Sequence, residues 1–442
     1  MKKYLTLIIS SMVLLFEILF VKGGYSNPIA YLPLIFGVLS LVHVDDAIMH
    51  GPGIKVAFFV MFLRYLFMPP MLLLSGYFSS MDYNSPEMRN TFLIMVIEMI
   101  TIFMTISLAK KRYYENVEIE VNNYSFIFPL LLLFIAVGLS IKDPIPISRY
   151  HFILSGATEL YDMDLEGSTQ GLPRFLGMVH YILIATLVSF FYRIYVKKKS
   201  KLVYWIGLMA TLLLCCFYQD TSRNSMLMPL LSVMLLYNKL YKQYRKQTNA
   251  VIIAVVVVSM SMLTLIKQFN VTSYSAVRMT KEDTSVIFER YFGGVVGVYD
   301  GFKHESKIVE RVNFQTLLTE TFGKVIGLNQ IMDQENRTSN FYNDALGSRS
   351  LIIPTISEGY FIFSWLFCWL FTFAIFKLII LFDGLFAKTK RIDLAFVFVS
   401  LSVTMGWMHT GNFIICMNSF HMSMTMLVIF YINVFVGRIK MH

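Results

Sequence analysis

Residues 359–381 read GYFIFSWLFCWLFTFAIFKLIIL, twenty-three positions interrupted by one charge, Lys377. A helix needs about 20 apolar residues to cross the hydrocarbon of a bilayer, so the stretch reads as a membrane span. Working outward, the same rule places eleven more spans. They lie near 4–22, 28–44, 56–76, 91–109, 125–141, 176–196, 202–218, 225–237, 250–266, 393–408 and 415–436. The expected fold class is all-α: a polytopic integral membrane protein of about twelve transmembrane helices.

Composition supports this. Of 442 residues, 56% are hydrophobic and only 15% charged, and the mean hydropathy is +0.61. A soluble chain of this size could not cover its apolar surface with so few charges. The opening MKKYLTLIISSMVLLFEILFVKGG has the charged head of a signal peptide. Its apolar run is long and no small-x-small site follows, so it reads as a retained first span. Cys215, Cys216, Cys368 and Cys416 fall in apolar runs without metal-ligand spacing, so neither a disulfide framework nor a zinc site is expected.

Lysine and arginine fix the orientation. With the N-terminus inside, the inner tails and connections hold twenty of them, whereas the short outer connections hold five: Arg89, Lys142, Arg149, Arg174 and Arg223. By the positive-inside rule both termini are cytoplasmic. The net charge of +10 thus reflects membrane orientation, and no nucleic-acid recognition motif accompanies it. Residues 1–266 carry spans one to nine, with a shorter outer loop at 142–175. Residues 267–358 form a large outer loop, and residues 359–442 carry the last three spans. Long loops between packed helices carry function or disorder. The large one holds VIFERYFGGVVGVYDGF and NFQTLLTETFGKVIGL, which are foldable as helices on the outer membrane face.

Walker A, HExxH and dinucleotide glycine patterns are absent. The DMD at Asp162–Asp164 falls on the outer side, where nucleotide sugars are not available, and reads as chance. No metal or cofactor is expected. The outer arginines are more informative, because the positive-inside bias works against them. Arg149, Arg174, Arg223, Arg290 and Arg349 offer rigid, permanently charged forks suited to a lipid pyrophosphate. Each could equally be a snorkelling or salt-bridging residue at a helix end. In TSNFYNDALGSRSLIIPTISEGYFIFSW, Asn340 and Tyr342 offer a hydrogen bond and a ring surface to a sugar, and Tyr291 could stack on one. Glu358, at the lead-in to the tenth span, is either an N-terminal helix charge or a general base. His409, in the last outer turn, is either a structural hydrogen-bonder or a catalyst. Arg64 lies inside the third span and must pair or face a polar cavity.

The quoted segments, with DTSRNSM at 220–226 and SRYHFILSGATELY plus GLPRF after the fifth span, carry a resemblance. The chain resembles the Wzy-type polymerases, which assemble oligosaccharide repeat units (O-antigen) in the bacterial inner membrane. The likeness covers nearly the whole topology and is thin in sequence. It implies transfer of a growing glycan from undecaprenyl pyrophosphate onto the sugar of an incoming lipid-linked unit. It also implies a chain-length regulator as partner beside the membrane lipids. By position, Arg223 matches the arginine of the turn motif. Arg149 and Arg174 match those of the first outer loop, and Arg349 precedes the tenth span. On this view Arg223, Arg290, Arg349, Glu358 and His409 are catalytic, while Arg149, Arg174, Tyr291, Asn340 and Tyr342 bind substrate. Some members have an arginine where this chain has His409, whose imidazolium could still meet an anion. An O-antigen ligase shares the layout and donor, and a flippase or other transporter suits twelve spans but not the long outer loop.

Overall fold

Each of the twelve stretches falls mainly on helix in the computed structural model. It describes residues 2–20, 26–43, 51–77, 84–109, 117, 119–120, 126–144, 150–152, 172–219, 223–272, 285–286, 289, 292–323, 325, 328, 332–333, 335–347 and 351–439. The first nine helices are α1 (Lys2–Phe20), α2 (Leu32–His43), α3 (Pro52–Ser75), α4 (Pro86–Leu108), α5 (Ile127–Lys142), α6 (Leu172–Lys198), α7 (Lys201–Cys215), α8 (Arg223–Leu240) and α9 (Arg245–Thr272). The late segment adds four short helices: α10 (Val295–Lys303), α11 (Glu305–Val309), α12 (Phe314–Phe322) and α13 (Thr338–Ala345). The chain ends with α14 (Thr355–Phe367), α15 (Leu370–Lys388), α16 (Ile392–Met408) and α17 (Phe413–Ile439). Among the described residues five helices are long and apolar enough to cross a membrane: α3, α4, α6, α15 and the Phe413–Phe435 part of α17.

The tenth stretch differs from its expected form. Residues 359–381 are not one rod, because Ser364 adopts φ 59, ψ −173 inside α14 and the chain bends sharply there. The bend brings Gly359 against the carbonyl of Cys368, where any Cβ would collide with backbone. The membrane-length helix therefore starts only at Leu370. That backbone region is one that glycine alone takes readily, and holding a serine in it costs of order 1–3 kcal/mol.

The chain divides into two compact units. One comprises residues 1–113, 278–383 and 402–421. In it α3 carries a π-helical turn at Leu63–Phe67, just before Pro69 and Pro70. Those prolines donate no hydrogen bond, and their rings crowd the carbonyls of the preceding turn, so a widened turn accommodates them. The turn also holds Arg64, which the sequence required to pair. Its Nη2 lies 2.8 Å from Glu98 Oε2 on α4 with both side chains fully buried, and the Tyr65 hydroxyl donates to the same oxygen at 2.5 Å. At the other end of α3, Gly51 provides no side-chain cap. Asp383 supplies one from α15, its carboxylate accepting the N–H groups of Gly53 (2.9 Å) and Ile54 (3.1 Å).

The second unit comprises residues 114–277, 384–401 and 422–442. Here α6 packs on α5 and α7, and α8 on α9. A cluster of tyrosines binds these helices together: Tyr241 lies 4.9 Å from Tyr195 and 5.1 Å from both Tyr204 and Tyr237. The Lys239 ammonium donates to the carbonyls of Phe386, Ala387 and Thr389, neutralising the negative C-terminal end of α15. A short antiparallel ribbon pairs β1 (Tyr150–Phe152) with β2 (Phe217–Gln219), which follows α7.

Two outcomes follow. Glu98→Ala leaves the Arg64 charge buried and alone, so stability falls by about 3–5 kcal/mol. Thermal melting of the detergent-purified protein measures this, and Arg64→Met combined with Glu98→Leu recovers much of the loss. Ser364→Gly removes the backbone strain and raises the melting midpoint, by about 1 kcal/mol in stability. An unchanged or lowered midpoint would mean that the bend is unstrained.

Candidate functional site

The site builds from the first unit, where the late segment folds on the bent head of α14. The buried side of α12 carries Glu320, whose Oε1 accepts the N–H of Thr338 at 2.8 Å. Thr338 opens α13, whose N-cap residue Arg337 provides no side-chain cap. On α14, Glu358 Oε2 accepts the N–H of Phe413 at 2.6 Å, the first residue of α17. The remaining oxygens, Glu320 Oε2 and Glu358 Oε1, are buried and receive no other donor. The two carboxyls hydrogen-bond one another. Two adjacent buried carboxyls cannot both ionise, so the pair holds one proton. Burial, and then the neighbouring Glu320 charge, push Glu358 well above the ordinary value of 4.5, and burial raises Glu320 as well. Arg337 adds a positive charge near Glu320.

The last turn closes over this pair. Thr355 Oγ1 donates to the carbonyl of Gly411, and Phe371 stacks on Phe413 at 3.9 Å. Gly293, at φ 53, lies against the Thr410 carbonyl, where a side chain would collide. His409 is fully buried, its Nδ1 2.8 Å from the Gly406 carbonyl and its ring edge-on to Phe376. That contact makes Nδ1 the protonated nitrogen and leaves Nε2 a lone pair with no partner among the described residues. Burial, reinforced by the Arg64 charge, pushes the ring down to about 3. This burial disfavours the imidazolium that the sequence reading allowed. Glu358 is equally sealed from solvent. In this arrangement it holds the start of α17 in place.

Beside this core lies an open cleft of about 630 Å³. Tyr360, Phe363 and Ser364 line it from α14, and Glu305, Asn313 and Phe314 from α11 and α12. The Tyr360 hydroxyl donates to Glu305 Oε1 at 2.5 Å. Tyr342, expected to face a sugar, is buried and donates to the Gly297 carbonyl at 2.9 Å. Asn340 Nδ2 donates to the Glu335 carbonyl at 3.1 Å. Arg149, Arg290, Tyr291 and Arg349 lie outside the described residues. Arg223 opens α8, with only its backbone described, and Arg174 lies half-buried in the first turn of α6; both belong to the second unit. The structure thus gathers Glu358, His409, Asn340 and Tyr342 into one unit.

The sequence reading missed Glu320, Glu305 and Tyr360. Glu320 had a signal, as the only acid in NFQTLLTETFGKVIGL. Among the described residues no group of three or more His, Cys, Asp or Glu side chains converges on a metal position. Comparison with family models, curated proteins and solved structures finds no match.

A pH dependence follows. Because the folded protein holds Glu358 above 4.5, its contribution to stability is complete below pH 4.5 and is lost as pH rises through the folded value. Glu358→Gln keeps a donor toward Glu320 and an acceptor toward Phe413. The variant folds, and its melting midpoint falls less with rising pH than that of the parent. Parallel pH profiles for the two proteins would refute the shared proton.

Proposed function

We propose that the protein is a polymerase of lipid-linked glycans. It joins undecaprenyl-pyrophosphate-linked oligosaccharide units on the outer face of a bacterial inner membrane, with twelve spans and both termini in the cytoplasm. The observation that carries the reading is the fold of residues 295–345. In a chain of apolar helices they include four short helices, one of which, α12, sets Glu320 against Glu358 of α14, and they leave a cleft at the bend. A transporter does not require such a fixed structure beside its spans. The buried charges within α3, α4 and α15 are also satisfied by Glu98, Arg64 and helix N–H groups, so they do not lay out a charged path.

In this reading a sugar C1–O bond to pyrophosphate breaks as the acceptor hydroxyl oxygen attacks C1. The acceptor proton passes to a carboxylate, and undecaprenyl pyrophosphate leaves. Among the described residues the carboxylate that lines the cleft is Glu305, with Tyr360 fixing its orientation. Arg149, Arg174, Arg223, Arg290 and Arg349 supply the positive charge that meets the departing pyrophosphate. Glu358 and His409 position the last turn. No cofactor or metal takes part, and a chain-length regulator is the expected protein partner.

Deleting the gene in its own host tests the proposal. The surface lipopolysaccharide should collapse from a ladder to core plus one repeat unit. A core with no unit would point to a ligase, and an unchanged ladder would refute both. Arg223→Ala, still membrane-inserted, should abolish chains longer than a few units.

A further inference from the structure

We infer that the cleft at the bend of α14 binds an uncharged sugar ring, and that Glu305, Asn313, Phe314 and Ser364 define its subsite. Phe314 is 72% exposed although it is a large apolar ring. Phe363 and Tyr360 add aromatic surface to the same cleft. Its volume of about 630 Å³ falls within the range of small-molecule sites, about 300–1,000 Å³.

The polar groups decide the ligand. Glu305 brings a carboxylate with one oxygen engaged by Tyr360. Asn313 Oδ1 accepts the N–H of Thr316 at 3.0 Å and the Asn336 amide at 3.5 Å, while the Thr316 hydroxyl donates to Asn336 Oδ1 at 2.6 Å. The Asn313 amide N–H groups and the Ser364 hydroxyl have no partner among the described residues. The rim therefore offers an acceptor, donors and aromatic faces together.

An acyl chain would strip water from Glu305 and Asn313 and return no hydrogen bond. A phosphate would meet a carboxylate and, among the described lining residues, no cation to offset it. A cation would suit Glu305 and the rings, but it would leave the Asn313 and Ser364 donors with nothing to accept. Ring hydroxyls both donate and accept, and the C–H face of a pyranose lies flat on an aromatic ring. An uncharged sugar satisfies every group. The strained backbone of Ser364 fits this placement, since such strain is concentrated at ligand clamps. That the sugar is the acceptor end of a lipid-linked unit rests on the polymerase reading; the capacity of the cleft to bind it does not.

The test uses the full chain in detergent micelles, with saturation-transfer NMR reporting binding. The probes are maltotetraose, chitotetraose, inorganic pyrophosphate and tetramethylammonium. We expect one or both tetrasaccharides to bind, and Phe314→Ala and Glu305→Gln each to weaken binding about tenfold. Pyrophosphate and tetramethylammonium should not displace the sugar. The inference is overturned if neither tetrasaccharide binds, if both variants bind as well as the parent, or if tetramethylammonium displaces the sugar. Polymer growth in cells separates this inference from the function proposed above. A deletion strain with normal polysaccharide, alongside Phe314-dependent sugar binding, removes the polymerase and keeps the subsite. A deletion strain that makes no polymer but is fully restored by Phe314→Ala removes the subsite and keeps the polymerase.

Discussion

Every helix begins with backbone N–H groups that have no partner inside the helix, and in the first unit several of these beginnings are buried. Water cannot reach them, and their own N-cap residues do not satisfy them: Gly51, Gly294 and Arg337 each make no side-chain cap. The remedy is the same each time. A carboxyl from outside the helix accepts the hydrogen bond, from seven residues away for Glu289 to 330 for Asp383. Asp383 does so for α3, Glu289 for α10 through Val296, Glu320 for α13 and Glu358 for α17. Where the carboxyl is ionised its charge also complements the positive end of the helix dipole, a term of up to about 2 kcal/mol in partly buried geometry. These bonds fix where each helix starts, and so fix the framework around the cleft.

The same device explains the carboxyl pair. Glu320 and Glu358 each spend one oxygen on a helix start, which leaves their other oxygens facing one another. A single shared proton turns that conflict into a bond between α12 and α14. Through it the starts of α13 and α17 are coupled, although they are separated by about seventy residues of sequence. The last turn, with His409 and Thr410, is then held from Glu358 on one side and from Gly293 on the other. Rigid support of this kind is what an adjacent binding cleft needs, because a site loses its selectivity when its walls drift.

The helical class and the position of most helices were legible because apolar runs of about twenty residues have few other readings. The pairing demand on Arg64 was legible for the same reason, since a buried charge must find a partner. The break at Ser364 was not. A reversal at a glycine or asparagine announces itself, but serine carries no preference for positive φ, and the flanking run GYFIFSWLFCWL is apolar throughout. Only the tertiary contact of Gly359 with the Cys368 carbonyl reveals it. Glu358 was legible as a residue of consequence, but the sequence showed only that it opens its own helix. That it caps a different one, 55 residues later, is long-range information.

Accessibility is what separates the acids of this unit by role. Glu358 and Glu320 are enclosed, hydrogen-bonded on both sides and short of one charge, so they suit fixing a framework and are poorly placed for accepting a proton from a substrate. Glu305 belongs to the same run of short helices, but it faces an open cleft and is steadied by a single hydroxyl. A catalytic base needs contact with the hydroxyl it deprotonates before its basicity matters. In the proposed reaction the accessible carboxylate is therefore Glu305, in the middle of the long segment, and not Glu358 at the head of a span, for which the sequence left both a helix-end charge and a base open. The same enclosure holds His409, whose burial disfavours the charged ring. In the proposed reaction the pyrophosphate is met by guanidinium groups, whose charge survives burial that neutralises imidazole.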